Sequence, residues 1–275
     1  MDTTFQALIM GIVQGLTEFL PVSSSGHLVI VPHLLGWTDP FITSLAFSVM
    51  LHLGTLVALL IYFWKDWLAI VPAGFATIRD RSFRGDPNRR LAWLLVVATI
   101  PAVIVGPILN DRLEAAVRTA EDVAIALVIG AAVLWLADQV GRKTGQIERI
   151  SFPLALGIGI AQSIALIPGV SRAGVSISAG LFAGLTREAA ARFSFLMATP
   201  VIAGAGIFEA RNLLTGQAGV AVQLGPLVVG MVAALVSGLF AIGLMLRYVR
   251  THSYVIFVAE RLVVAALVLV MFLSR

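Results

Sequence analysis

Two apolar stretches of this chain are broken at matching places by proline, serine and charge. The first reads Gln14-Gly15-Leu16-Thr17-Glu18-Phe19-Leu20-Pro21-Val22-Ser23-Ser24-Ser25-Gly26-His27. The second reads Gln162-Ser163-Ile164-Ala165-Leu166-Ile167-Pro168-Gly169-Val170-Ser171-Arg172-Ala173-Gly174. A shift of 148 positions pairs Gly11 with Gly159, Ile12 with Ile160, Gln14 with Gln162, Val22 with Val170, Ser23 with Ser171 and Gly26 with Gly174. Proline ends a helix, and unpaired backbone survives at membrane depth only where protein or a water-filled cavity covers it. Segments 5–35 and 153–185 are therefore expected to be re-entrant helical hairpins whose tips lie near the bilayer midplane. Broken segments paired between two halves point to a central polar site.

The composition makes the rest of the chain membrane. It is 59% hydrophobic and 12% charged, with a mean hydropathy of +0.97, whereas soluble domains carry roughly twice that charged share. Apolar runs near the ~20 residues needed to cross a bilayer occur at 41–64, 91–109, 122–140, 189–209, 224–246 and 254–273. The expected fold is an all-α polytopic membrane protein: one integral membrane domain over 1–275 with about six transmembrane spans and two re-entrant hairpins. No cleavable leader is read at the start, because residues 1–10 lack a basic region.

Loop charge orients the spans. Of 19 Lys and Arg, 13 fall in 65–90, 141–150, 186–192 and 247–253, which are assigned to the cytoplasm. Four (Arg112, Arg118, Arg211 and Arg275) fall outside, and Arg172 and Arg261 sit within apolar segments. Trp64 and Trp67 around Lys65 read as an interfacial belt. Each half, 5–140 and 153–273, then holds one hairpin and three spans. Three being odd, the second half is inverted, and the two hairpin tips meet from opposite sides.

This placement accounts for the net charge of +4 as a topology signal, so no nucleic-acid partner is expected. The absence of cysteine excludes disulfides, thiolate metal sites and cysteine nucleophiles. There is no Gly-x-x-x-x-Gly-Lys-Ser/Thr loop, no His-Glu-x-x-His and no Asp-x-Asp pair of the aspartyl-phosphate type. Ser25-Gly26-His27 with Ser171-Arg172 is similar to the acid-phosphatase type of lipid phosphatase, but the basic motif before Ser-Gly-His and the histidine after Ser-Arg are missing.

Four features carry most of the chemical signal. Glu18, one turn after Gln14, is a candidate base or metal ligand. Ser23-Ser24-Ser25-Gly26 follows a proline and opens a helix, where successive N–H groups form an anion nest and serine also caps. His27 is a candidate nucleophile or acid–base group. Arg172 is the costliest residue at its depth, and its planar fork suits phosphate oxygens. Phosphate binding is favoured for it over a permanent ion pair with Glu18, although that pair is compatible with an empty site. Gln14 and Gln162 are expected to bridge the hairpins. For His52, Asp138, Glu209, Glu260 and Arg261 a structural role weighs at least as much as a functional one, with Glu260 and Arg261 snorkelling or pairing locally.

Taken together, Gln14-x-x-x-Glu18, Pro21-Val22-Ser23-Ser24-Ser25-Gly26-His27 and Pro168-Gly169-Val170-Ser171-Arg172 resemble the signature of the bacterial undecaprenyl-diphosphate phosphatases of the bacitracin-resistance type, over essentially the whole chain. The resemblance implies hydrolysis of a polyprenyl diphosphate to the monophosphate and phosphate. That reaction recycles the lipid carrier of peptidoglycan synthesis and confers bacitracin resistance. The resemblance further implies a divalent cation, Mg²⁺ or Ca²⁺, and a multi-pass protein of the bacterial inner membrane with its site on the outer face. Carried over, Glu18, Ser24, His27 and Arg172 form the catalytic group. Ser23, Ser24, Ser25, Gly26, Gly169, Ser171 and Arg172 form the phosphate site, and Glu18 with Gln14 the metal site. Two positions depart from the family pattern: Gln14 replaces a more usual glutamate, and Ala173 stands where relatives often carry Ser or Thr. The nucleophile is left open between histidine, serine and water, and a homodimer is also left open. The alternative function is a transporter flipping the polyprenyl phosphate lipid, which needs Arg172 and the nests but neither base nor nucleophile.

Overall fold

The computed structural model describes residues 2–116, 120–215 and 220–273. Arg118 and Arg275, counted above among the outer charges, lie outside them. The described residues form eleven α-helices. In the first half these are α1 (Thr3–Phe19), α2 (Ser24–Leu35), α3 (Leu45–Tyr62), α4 (Trp64–Asp80), α5 (Pro87–Ala116) and α6 (Ala120–Val140). In the second half they are α7 (Phe152–Ile164), α8 (Arg172–Phe182), α9 (Arg187–Leu214), α10 (Leu224–Tyr248) and α11 (Val255–Leu273).

Both expected hairpins are present as α1–α2 and α7–α8. At 1.5 Å per residue, the 12 residues of α2 and the 11 of α8 reach only about 18 Å, short of the ~30 Å hydrocarbon layer. Among the described residues, five helices are long and apolar enough to cross a membrane: α3, α5, α6, α9 and α10. The sixth expected span coincides with α11, whose apolar run is interrupted by Glu260 and Arg261.

Each first arm packs against a helix of the other half. α1 lies along α10, and α7 along α5. Glycine permits both approaches at positions 148 apart: a Cβ on Gly11 would strike the Gly230 carbonyl of α10, and one on Gly159 the Ala98 carbonyl of α5. Such small-residue contacts are how helices pack closely in lipid, where hydrophobic burial gives little drive. Phe19, at the end of α1, stacks edge-on against Phe195 of α9 at 5.5 Å, fixing the segment that carries Glu18.

Two boundaries differ from the sequence reading. The charged stretch 65–90 is largely the helix α4, whose Leu68, Val71, Phe75 and Ile78 face outward; its charge masked an apolar face. The loop expected at 110–121 is shorter, because α5 continues through Ala116. Asp138, at the end of α6, is a structural anchor. It accepts Arg187 Nε at 2.6 Å, Arg187 Nη2 at 3.1 Å and the Tyr254 N–H at 3.1 Å.

Candidate active site

The two hairpin turns are built alike. Ser23 and Ser171 precede the second half-helices with φ of 76° and 69°, a left-handed conformation uncommon away from glycine. Each serine then caps its helix: Ser23 Oγ accepts the Gly26 N–H at 3.3 Å, and Ser171 Oγ the Gly174 N–H at 3.1 Å. Ser24 and Arg172 are consequently the first residues of α2 and α8. The tips touch where the Gly169 N–H donates to Ser25 Oγ at 3.4 Å. Gly169 has a φ of 90°, and a Cβ there would meet the Val123 carbonyl oxygen at 2.8 Å.

Glu18 is the hub. Its carboxylate is buried, with Oε1 paired to Arg172 Nη2. Oε2 accepts from Ser24 Oγ and from Gln14 Nε2 at 3.0 Å. Arg172 also donates through Nη1 to the Ala198 carbonyl at 3.3 Å. These groups line a cavity of about 190 Å³ whose polar wall is Glu18, Ser24, Ser25, His52, Ser171 and Arg172, with apolar residues of α3 and α9 opposite. That volume is below the ~300 Å³ at which drug-sized ligands begin to fit, so it suits a small anionic group rather than a long tail. A larger groove of about 510 Å³ between α4, α5 and α9 is almost wholly apolar and offers nothing to act on phosphate.

His52, on α3, enters this cavity. Its Nδ1 lies 2.7 Å from the Ser48 carbonyl, an acceptor, so Nδ1 carries the proton. Nε2 faces Glu18 Oε2 at 3.4 Å. His27 is placed differently. Its Nδ1 donates to the Ser23 carbonyl at 2.8 Å, and its Nε2 is 2.9 Å from Glu260 Oε1. Both ring nitrogens are engaged, and His27 is not on the cavity wall.

The structure thus brings Glu18, Ser24, Ser25, Ser171 and Arg172 onto one cavity. Ser23, Gly26 and Gly169 shape the turns behind it. Gln14 binds Glu18 and not Gln162, whose amide atoms are buried without a partner among the described residues. His52, Glu260 and Arg261 are closer to the turns than the sequence reading placed them. The only sequence signal for each was its polarity within an apolar run.

The donor set does not build a metal centre of its own. Glu18 is the single carboxylate on the wall, and both its oxygens already meet donors. Among the described residues, no three His, Asp or Glu side chains cluster to hold an ion. Gln14 Oε1 adds one further buried oxygen, too few for the six or more that Ca²⁺ takes.

The family description "Bacitracin resistance protein BacA" matches residues 7–267. The chain belongs to the BacA family. Proteins named undecaprenyl-diphosphatase are similar to this BacA chain along nearly its whole length. The one from Desulforudis audaxviator is 44% identical over 271 residues, 98% of each chain. The one from Moorella thermoacetica is 40% identical over 273 residues, 99% of each chain. The one from Rubrobacter xylanophilus is 43% identical over 263 residues, 96% of each chain. Residues 7–267 include both hairpin turns, so the cavity of Glu18 and Arg172 lies within the BacA match.

Proposed function

We propose that this protein hydrolyses undecaprenyl diphosphate to undecaprenyl phosphate and inorganic phosphate at the cavity between the hairpin tips. The observation that carries the reading is the joining of Ser24, Glu18 and Arg172 across two turns of the same design. A hydroxyl donating to a buried carboxylate is an activated nucleophile, and an arginine fork beside two nests is an acceptor for phosphoryl charge.

In this reading Arg172 and the Ser24 and Ser171 turns hold the terminal phosphate. Ser24 Oγ attacks its phosphorus while its proton passes to Glu18. The bond from that phosphorus to the bridging oxygen breaks, and the electron pair leaves with the polyprenyl monophosphate. Water then attacks the phosphoserine, returning the hydroxyl to Ser24 and releasing hydrogen phosphate. Glu18 gives its proton to solvent. His52 faces the same carboxylate and is placed to assist that transfer. His27, held at both nitrogens, supports the Ser23 turn. Mg²⁺ or Ca²⁺ belongs to the proposal only as a companion of the diphosphate, whose oxygens are the hard ligands such ions take. No step depends on it.

The five apolar helices make this a multi-pass membrane protein. Its placement in the inner membrane, with inverted halves and the site toward the outer face, belongs to the proposal. The exchange of first arms between halves supports the repeat. A homodimer is a further part, read from the mass of the detergent-solubilised protein.

The test is product analysis with purified protein and undecaprenyl diphosphate. Equal amounts of inorganic phosphate and undecaprenyl phosphate support hydrolysis. Movement of labelled polyprenyl phosphate across liposomes without phosphate release would replace it with translocation.

A further inference from the structure

α11 places two consecutive charged residues against the two hairpin turns. Glu260 Oε1 lies 2.9 Å from His27 Nε2 in the first hairpin, and Arg261 Nη2 donates to the Val170 carbonyl at 2.8 Å in the second. Arg261 is fully buried, forms no ion pair among the described residues, and its Nε and Nη1 have no hydrogen-bond partner there. A cation in that setting is expensive, and packing alone does not call for one.

Each contact acts on one peptide of its turn, and the two peptides lie one residue apart in the 148-residue register. His27, gripped by Glu260, donates to the carbonyl of Ser23, and Arg261 donates to the carbonyl of Val170. These are the peptides leading into Ser24 and Ser171, both on the cavity wall. A trans peptide is planar, with its N–H opposite its C=O. Fixing a carbonyl therefore fixes the direction of the Ser24 or Ser171 N–H on the same peptide. The Ser23 carbonyl also accepts the His27 backbone N–H at 3.1 Å, so His27 and Glu260 reinforce a bond that α2 already makes.

We infer that Glu260 and Arg261 form a brace that aims the two anion nests at the transferred phosphate. They are positioning residues: Glu260 acts through His27, and Arg261 through the Val170–Ser171 peptide, with its buried charge adding positive potential behind the nests. The inference rests on the hydrolase reading above.

The experiment compares kcat and KM for phosphate release from undecaprenyl diphosphate by wild type, Glu260→Ala, Glu260→Gln, Arg261→Gln and Gly130→Ala, with unfolding temperature as a control. Gly130, on α6, is the safeguard against misfolding. A Cβ there would meet the Arg261 guanidinium, the movable end of a side chain, with Cζ at 3.1 Å, and at 3.2 Å the Val170 carbonyl oxygen that Arg261 holds, and alanine favours helix. Glu260→Ala, Arg261→Gln and Gly130→Ala are each expected to lower kcat about a hundred-fold, the scale of a small misplacement at a reacting centre. KM stays within about threefold, as for an interaction realised in the transition state. Glu260→Gln, whose amide N–H can donate to His27 Nε2, recovers most of the rate, and Glu260→Ala adds no further loss to His27→Ala. Glu260→Ala and Gly130→Ala at wild-type kcat, with wild type active, would overturn the brace alone. An inactive, folded wild type would overturn the hydrolase reading and the brace with it.

Discussion

Ser24 and Arg172 hold the same place in the two halves of the chain and meet at one carboxylate. Each is the first residue of a half-helix, each follows a serine with positive φ, and both bond Glu18. The two turns differ here, hydroxyl in one and guanidinium in the other; in the proposed reaction one supplies the attacking group and the other the anion clamp.

Glu18→Gln keeps the shape of the hub but removes the base and the charge that Arg172 answers. Phosphate release is expected to fall by roughly 10²–10⁴, the range for a positioned acid–base group. Arg172→Lys is not expected to restore Arg172→Ala, because an ammonium cannot reach Glu18 and the phosphate as a planar fork does. Initial rates at saturating substrate check both.

Ser24 as nucleophile leaves a trace. Acid quenching during turnover of substrate labelled in its terminal phosphate should trap label on wild-type protein and none on Ser24→Ala. Label trapped on Ser24→Ala would move the nucleophile elsewhere.

His52 was given little weight from sequence but lies on the cavity wall, 3.4 Å from Glu18. His52→Asn is expected to lower kcat by about 10²-fold, at the low end of acid–base contributions, while leaving the unfolding temperature unchanged. A wild-type kcat would reduce His52 to a wall residue.

Asp138 makes a contrasting prediction. Removing it leaves Arg187 and the Tyr254 N–H without their acceptor. Asp138→Ala is expected to cost roughly 3 kcal/mol of stability, as for breaking a buried pair. Denaturant unfolding in detergent measures the loss, and the protein that remains folded should turn over normally.

Two glycines separate packing from propensity. Gly11→Ala drives a Cβ into the Gly230 carbonyl, whereas a Cβ on Gly157 meets nothing within 4 Å. The first should destabilise by about 1–3 kcal/mol as overpacking. The second should be neutral or stabilising by up to ~1 kcal/mol through helix propensity. Unfolding curves of the two variants decide it.

The hairpins were legible because proline and serine at membrane depth leave few alternatives, and the repeat confined the site to two turns. The sequence allows the Glu18–Arg172 pair only as the state of an empty site, since phosphate binding is the favoured role for Arg172 there, and the structure shows that pair. What the sequence hid depends on tertiary direction. Glu260 and His27 are 233 residues apart, and nothing local to α11 says which way Glu260 points, so local pairing with Arg261 was the nearer reading. α4 was hidden for another reason: charge at both ends and Pro72 within made an outward-facing helix look like a loop. Gln162 resembles Gln14 by repeat alone: Leu166 stands where the first half has Glu18, so Gln162 has no carboxylate one turn on.

One cavity, closed by Glu18 and Arg172 from opposite hairpins, is the proposed place of lipid diphosphate hydrolysis. The most direct measurement is the initial rate of phosphate release from undecaprenyl diphosphate by purified wild type, Glu18→Gln and Arg172→Ala of equal unfolding temperature. Release by wild type that falls at least about a hundred-fold in both variants is the predicted result. No release by folded wild type, or release undiminished in either variant, would contradict it.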